Sequence, residues 1–75
     1  MMKINILIVR SDLDNLGVDQ EGTYLPLYFP ESSFHGFWLD SSSEQITFYV
    51  GPETFICRNC KKNIDLFNSM IPNNN

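Results

Sequence analysis

Two cysteines near the C-terminal end of the sequence carry its strongest chemical signal. Cys57 and Cys60 are separated by two residues, and a Cys-x-x-Cys turn directs two sulfur atoms toward one point, as a zinc site requires. Arg58, Lys61 and Lys62 add positive charge around the thiols, and a helix start near Cys60 would stabilise a thiolate. The same residues could therefore bind a metal ion or perform thiol redox chemistry.

The segment that contains these cysteines, residues 55–64, resembles one knuckle of a zinc ribbon or treble clef. A closed tetrahedral zinc site needs four ligands, whereas the chain offers two cysteines and one histidine, His35. The missing ligands would be a carboxylate or the two cysteines of a second copy of the chain. The alternative is that Cys57 packs as a small apolar residue at a strand end, and that Cys60 does the same or is exposed.

Residues 12–19, within the acidic segment 11–22, resemble the start of a calcium-binding loop. Asp12 and Asp14 occupy the first and third positions of that loop, and Gly17 occupies the sixth. Thr23 stands at the twelfth position, where the loop needs a bidentate glutamate. We therefore expect this segment to be a solvated acidic loop.

His35 is the only histidine of the chain, and it lacks partners for hydrolytic chemistry. A hydrolase needs a nucleophile, a base and an orienting acid, but the serines close to His35 in sequence lie in predicted turns. The sequence also lacks a nucleophile elbow and a Gly-rich phosphate loop. We therefore expect no enzymatic activity and no cofactor, and we expect His35 to be a satisfied or exposed strand residue.

The charges are distributed unevenly along the chain, whose net charge is −4. Residues 1–56 carry two cations and eight acids, whereas residues 57–75 carry three cations and one acid. No lysine or arginine occurs between Arg10 and Arg58. Because a nucleic-acid surface needs several cations to displace the counterions of phosphates, this pattern argues against a nucleic-acid partner and favours a protein with a basic surface.

The length and composition indicate one small soluble domain. Of the 75 residues, 43% are apolar, which is enough for a core. We expect a single domain over residues 1–72, followed by a frayed asparagine tail at residues 73–75. The sequence contains no apolar run of membrane-spanning length and no signal-peptide pattern, so we expect no membrane contact and a cytoplasmic location.

Alternating apolar residues predict five strands. They cover residues 3–10, 23–29, 34–39, 45–50 and 54–57, and the last two form a hairpin. Pro26 lacks a backbone N–H, so the second strand should lie at a sheet edge or contain a bulge.

The spacing of apolar residues becomes helical near the C-terminal end. These residues are Ile64, Phe67 and Ile71, with Leu66 and Met70 beside them. Asn59 or Asn63 could cap the start of this helix, and Pro72 ends it. The fold class that follows is α+β: a small antiparallel sheet of four to five strands with one C-terminal helix packed on one face.

Aromatic residues are concentrated between positions 24 and 38, where there are six. One sheet face beneath one helix cannot bury them all, so we expect Tyr24, Tyr28 and either Phe37 or Trp38 to remain at the surface. Exposed tyrosine and tryptophan commonly anchor protein interfaces. Nearby acids should surround this aromatic patch. The predicted partner-binding residues are Tyr24, Tyr28, Phe37, Trp38, Glu21, Glu31, Asp40 and Glu44.

These features favour a small, acidic, non-enzymatic module that binds a basic protein. Short acidic proteins are commonly inhibitors or antagonists of nucleic-acid-handling proteins, and the composition resembles theirs. Two alternatives stay open. The first is a zinc-binding or thiol-redox domain that uses Cys57 and Cys60. The second is a self-associating structural protein, a homodimer that buries the aromatic patch.

Overall fold

The computed structural model of the protein describes residues 1–39 and 44–71. Five strands form one antiparallel sheet in the order β2-β1-β5-β4-β3, and a C-terminal helix packs on one face. The elements are β1 (Met2–Leu7), α1 (Arg10–Asn15), β2 (Tyr24–Phe29), a 3-10 turn (Glu31–Ser33), β3 (Phe34–Leu39), β4 (Gln45–Val50), β5 (Glu53–Arg58) and α2 (Lys61–Met70). The predicted α+β class is confirmed. Asp40 and the predicted frayed tail lie outside the described residues.

Strand β2 lies at one edge of the sheet, as its proline predicts. Pro26 is opposite Asn5 of β1, and β2 has no strand on its other side among the described elements. A proline in a central strand would remove a ladder hydrogen bond, whereas at an edge the missing N–H would face solvent.

The sheet is strongly curled. Contacts between aromatic rings on strands that are not neighbours show this. Strands β1 and β5 lie between β2 and β4, so a flat sheet would hold Phe29 and Phe48 about 14 Å apart. Their ring centroids are 6.2 Å apart, and Phe29 also lies 6.5 Å from Phe34 at the start of β3. The curled sheet therefore wraps its inner face around a core.

The core is built on all six phenylalanines of the chain, joined by ring contacts of 5.0 to 6.5 Å. These are Phe29, Phe34, Phe37, Phe48, Phe55 and Phe67. Phe67 comes from α2 and contacts three of the others, so it attaches the helix to the sheet. The other buried residues of this cluster are Ile4, Ile6, Ile8, Ile46, Cys57 and Met70.

The prediction that residues 11–22 form only a loop is wrong, because Arg10–Asn15 is a short helix. Asp12 is buried in this helix, and its carboxylate accepts a hydrogen bond from the Val9 N–H at 3.1 Å. Leu13 packs against the core. A six-residue helix is unstable in isolation, so these tertiary contacts hold it, and β1 ends earlier than predicted.

Helix α2 begins at a residue other than the two predicted caps, and it ends shortly before Pro72. Its N-cap is Cys60, neither Asn59 nor Asn63, and it ends at Met70. Ile71 is extended, with φ −82° and ψ 127°, and it is exposed, so it does not belong to the buried stripe. The cause is the following proline, which disfavours helical geometry in the residue before it. Within the described residues, neither helix is long and apolar enough to cross a bilayer.

Candidate functional site

The face of the sheet opposite α2, which we call the outer face, presents a row of side chains across all five strands. The paired positions are Trp38, Thr47, Ile56, Leu7 and Tyr24. Opposed residues in antiparallel strands point to the same side, and the positions next to these in sequence face the core. The row is therefore continuous from one sheet edge to the other.

Aromatic residues are sorted between the two faces by their chemistry. All six phenylalanines contribute to the core, whereas the three tyrosines and the tryptophan lie on the outer face. Trp38 and Tyr28 are each 59% exposed, and Tyr49 is 40% exposed. Burying a tyrosine or tryptophan requires a partner for its O–H or N–H, and water supplies that partner at this surface.

Trp38, and not Phe37, is the exposed member of the pair that the sequence left undecided. Phe37 lies on the core side, where its ring is 5.0 Å from that of Phe67. A register shift between Phe34 and Gly36 inserts an extra residue into β3. This bulge lets Phe34 and Phe37 face the same side, which strict alternation forbids.

Tyr49 is an outer-face residue that the set predicted from the sequence omits. It pairs with Gly36, which has no side chain, and it lies diagonal to Trp38 across the β3–β4 pair. Diagonal positions on neighbouring strands are within reach of large rings. The sequence signal for this placement is the alternation of β4: because Ile46 and Phe48 face the core, Tyr49 must face the other side. Trp38 and Tyr49 together form an exposed aromatic pair.

The β1–β2 side of the outer face is positively charged. The Arg58 guanidinium lies over the ring of Tyr24, 4.3 Å from the ring centroid, in a cation–π contact. The Lys3 ammonium is 6.0 Å from the centroid of Tyr28. The described strand residues of the outer face include no acid. Tyr24 and Tyr28 are therefore flanked by cations and not by the acids predicted around them.

Acidic residues gather where three segments meet at one end of the sheet. Asn15 of α1 donates a side-chain hydrogen bond to Glu53 at 3.0 Å, and the Gly51 N–H donates to the carbonyl of Ser33 at 2.8 Å. These bonds bring α1, the β4–β5 turn and the 3-10 turn together. We call the exposed acids of these segments and of the α1–β2 loop the acid end: Asp14, Asp19, Glu21, Glu31 and Glu53.

The acids predicted to surround the aromatic patch are divided between the two ends of the sheet. Glu21 and Glu31 belong to the acid end. Glu44 lies at the opposite end, where its carbonyl accepts a hydrogen bond from the Asn59 N–H at 2.9 Å, next to Arg58. The fourth predicted acid, Asp40, is outside the described residues.

Known proteins provide no counterpart from which to transfer a function. No protein-family model, curated protein or solved structure matches this chain. Function is therefore inferred from the contacts, exposure and charge of its own residues.

The two cysteines lie in different environments. Cys57 is fully buried between Ile6 and Ile46 on the neighbouring strands. Burial raises the pKa of the Cys57 thiol to about 12, with a smaller contribution from the nearby Cys60. Cys60 is exposed at the start of α2. Among the described residues, no three His, Cys, Asp or Glu side chains lie close enough to hold a metal ion.

This contrast predicts that only one thiol reacts in the folded protein. A disulfide reagent added at mildly alkaline pH should modify Cys60 rapidly and leave Cys57 untouched, because a buried thiol with a raised pKa forms little thiolate. Thiol titration with and without denaturant measures this. A Cys60→Ser variant should show no fast reaction and a single thiol after unfolding. Rapid modification of Cys57 in the native protein would contradict the prediction.

Proposed function

We propose that the protein is a non-enzymatic binding module that docks onto the basic surface of another protein. The observation that carries this proposal is the exposed pair Trp38 and Tyr49 on the outer face, in a chain whose phenylalanines all lie in the core or pack against it. Large amphipathic rings on a rigid sheet lose little conformational freedom on binding, and tryptophan and tyrosine are the commonest anchors of protein interfaces.

Charge favours a basic partner. The acid end carries five exposed carboxylates, and the cation in the same segments is Arg10. Tyr49 lies one residue before the end of β4, so Tyr49 borders this negative end, and Trp38, opposite Thr47, lies farther along the sheet. An acidic surface next to an aromatic anchor accelerates encounter with a positive surface, and this effect weakens as salt rises.

A protein of this kind acts by occupying the surface that its partner uses. If the partner's basic surface normally binds nucleic-acid phosphates, the carboxylates of the acid end compete for the same cations. We therefore propose an inhibitor or antagonist of a nucleic-acid-handling protein as the biological role, in agreement with the composition.

The test uses the tagged protein to capture proteins from an extract of its native host. A partner with a basic isoelectric point should be retained at low salt and released as salt rises. The double variant Trp38→Ala/Tyr49→Ala should lose it. With the captured protein purified, the dissociation constant should rise by at least about 30-fold in the double variant, which is the size of a strong interface anchor.

Tyr28→Ala is the matched control, because Tyr28 is as exposed as Trp38 but lies beside Lys3, where a basic partner would be repelled. This variant should retain the partner. Retention of the same proteins by the wild type and the double variant would refute the assignment of the aromatic pair. Sedimentation of the protein alone tests self-association: a dimer that the double variant dissociates would instead assign the pair to a homodimer interface.

A further inference from the structure

A cleft opens between the first half of β1 and the start of α2. Strand β1 pairs with β5 only at Ile6 and Leu7. After these pairs β5 ends, and the chain continues into α2. The first half of β1 therefore faces α2 across a gap of about 710 Å³. Cavities of this size accept small organic ligands. Among the residues that line the gap are Lys3, Tyr24, Arg58, Cys60, Lys62 and Asn63.

Positive charge is concentrated in this cleft, although the whole chain is acidic. Lys3, Arg58 and Lys62 are three of the five cations of the chain. Asp65 is the acid in the lining, and it already accepts a hydrogen bond from Lys61 at 2.7 Å. Among the described residues that line the cleft, the three cations therefore outnumber this acid.

The donors around the cleft are partly fixed in position. The Arg58 guanidinium lies over the Tyr24 ring, 4.3 Å from its centroid, and this cation–π contact restricts its position. The Asn63 side chain donates to the Arg58 carbonyl at 2.9 Å, which ties the start of α2 to the end of β5. No side chain caps the N-terminus of α2, so the positive end of the helix dipole adds to the three cations.

We propose that this cleft binds a small ligand that carries two or more phosphate groups, such as pyrophosphate or a nucleoside diphosphate. Arginine and lysine side chains that line one opening match the charge of such a group, and an arginine binds two phosphate oxygens at once. The cleft holds more than a single ion, so the ligand extends beyond one phosphate. This inference does not depend on the proposed function, because the acid end and the aromatic pair are elsewhere on the molecule.

Calorimetric titration with pyrophosphate, and separately with ADP, tests the proposal. Both should bind to one site, with an affinity that falls as salt is raised. Arg58→Gln and Lys62→Gln should each weaken binding by about tenfold or more, the usual value of a charge-assisted hydrogen bond. Amide shifts on binding, followed by NMR, should be confined to the first half of β1, the end of β5 and the first turn of α2.

Arg10→Gln is the matched control, since it removes the same charge from α1, at the other end of the sheet. It should change the dissociation constant by less than about twofold. Absence of saturation at millimolar pyrophosphate and ADP, or equal losses in Arg10→Gln and Arg58→Gln, would overturn the proposal. The same phosphate chemistry also occurs in nucleic acids, so an oligothymidylate is titrated in parallel. Tighter binding of the oligonucleotide than of ADP would reject a small ligand.

Discussion

Replacing Phe67 with alanine is expected to lower the free energy of unfolding by about 3–5 kcal/mol, the range for removing a buried aromatic ring. Phe67 is fully buried and contacts the rings of Phe34, Phe37 and Phe48. The cavity left behind would separate α2 from the sheet. A chain of this size has a total stability of about 4–11 kcal/mol, so the variant should be largely or wholly unfolded at moderate urea concentration.

Trp38→Ala provides the control, because it removes a larger ring from the outer face, on the side of the sheet away from Phe67 and α2. Trp38 is mostly exposed, so its loss should cost less than about 1 kcal/mol. Urea unfolding followed by circular dichroism measures both variants, since Trp38 is the only tryptophan and fluorescence would be lost. If Phe67→Ala does not fold at all, Phe67→Leu should fold with a smaller loss. Equal losses for Phe67→Ala and Trp38→Ala would contradict the assignment of the two faces.

The strands could be predicted from the sequence because their signal is local. In β4, Ile46 and Phe48 alternate with Thr47 and Tyr49, and the structure buries the first pair and leaves the second pair toward the outer face. Pro26 likewise placed β2 at an edge through the absence of one N–H. Each of these inferences needs only a residue and its close neighbours.

The bulge in β3 could not be predicted in this way. Strict alternation puts Phe34 and Trp38 on one side of the sheet and Phe37 on the other. The extra residue in β3 changes this, so that Phe34 lies on the same side as Phe37 and on the opposite side from Trp38. The bulge allows Phe34 and Phe37 both to contact Phe67. This gain is visible only once α2 is packed against the sheet.

The cationic cleft depends on pairing between distant parts of the chain. Lys3 and Arg58 lie far apart in the sequence, with Arg10 as the one cation between them. The sequence shows the local cluster of Arg58, Lys61 and Lys62, but it does not show that Lys3 lies beside that cluster. The pairing of Ile6 with Cys57 brings β1 next to β5 and places both cations around one opening. Strand order in a sheet is a long-range property, and hydrophobic alternation within each strand does not encode it.

Asp12→Ala is expected to destabilise the protein by about 1–3 kcal/mol, because a half-buried donor loses its acceptor. Asp12 is the buried charged residue among those described, and its carboxylate accepts the Val9 N–H at 3.1 Å. Alanine would leave that N–H without its acceptor and would weaken α1, which is too short to persist without tertiary contacts. Asp12→Asn keeps an acceptor oxygen of similar shape, so it should retain more stability than Asp12→Ala.

Asp14→Ala is the matched control, because Asp14 belongs to the same helix and is exposed. It should change the free energy of unfolding by less than about 0.5 kcal/mol. Urea unfolding of the three variants measures the difference. Amide exchange at Val9 should accelerate in Asp12→Ala and not in Asp14→Ala, because the lost acceptor is local to that N–H. If the two alanine variants were equally stable, the carboxylate of Asp12 would be a solvated surface group, as the acidic pattern of this segment first suggests.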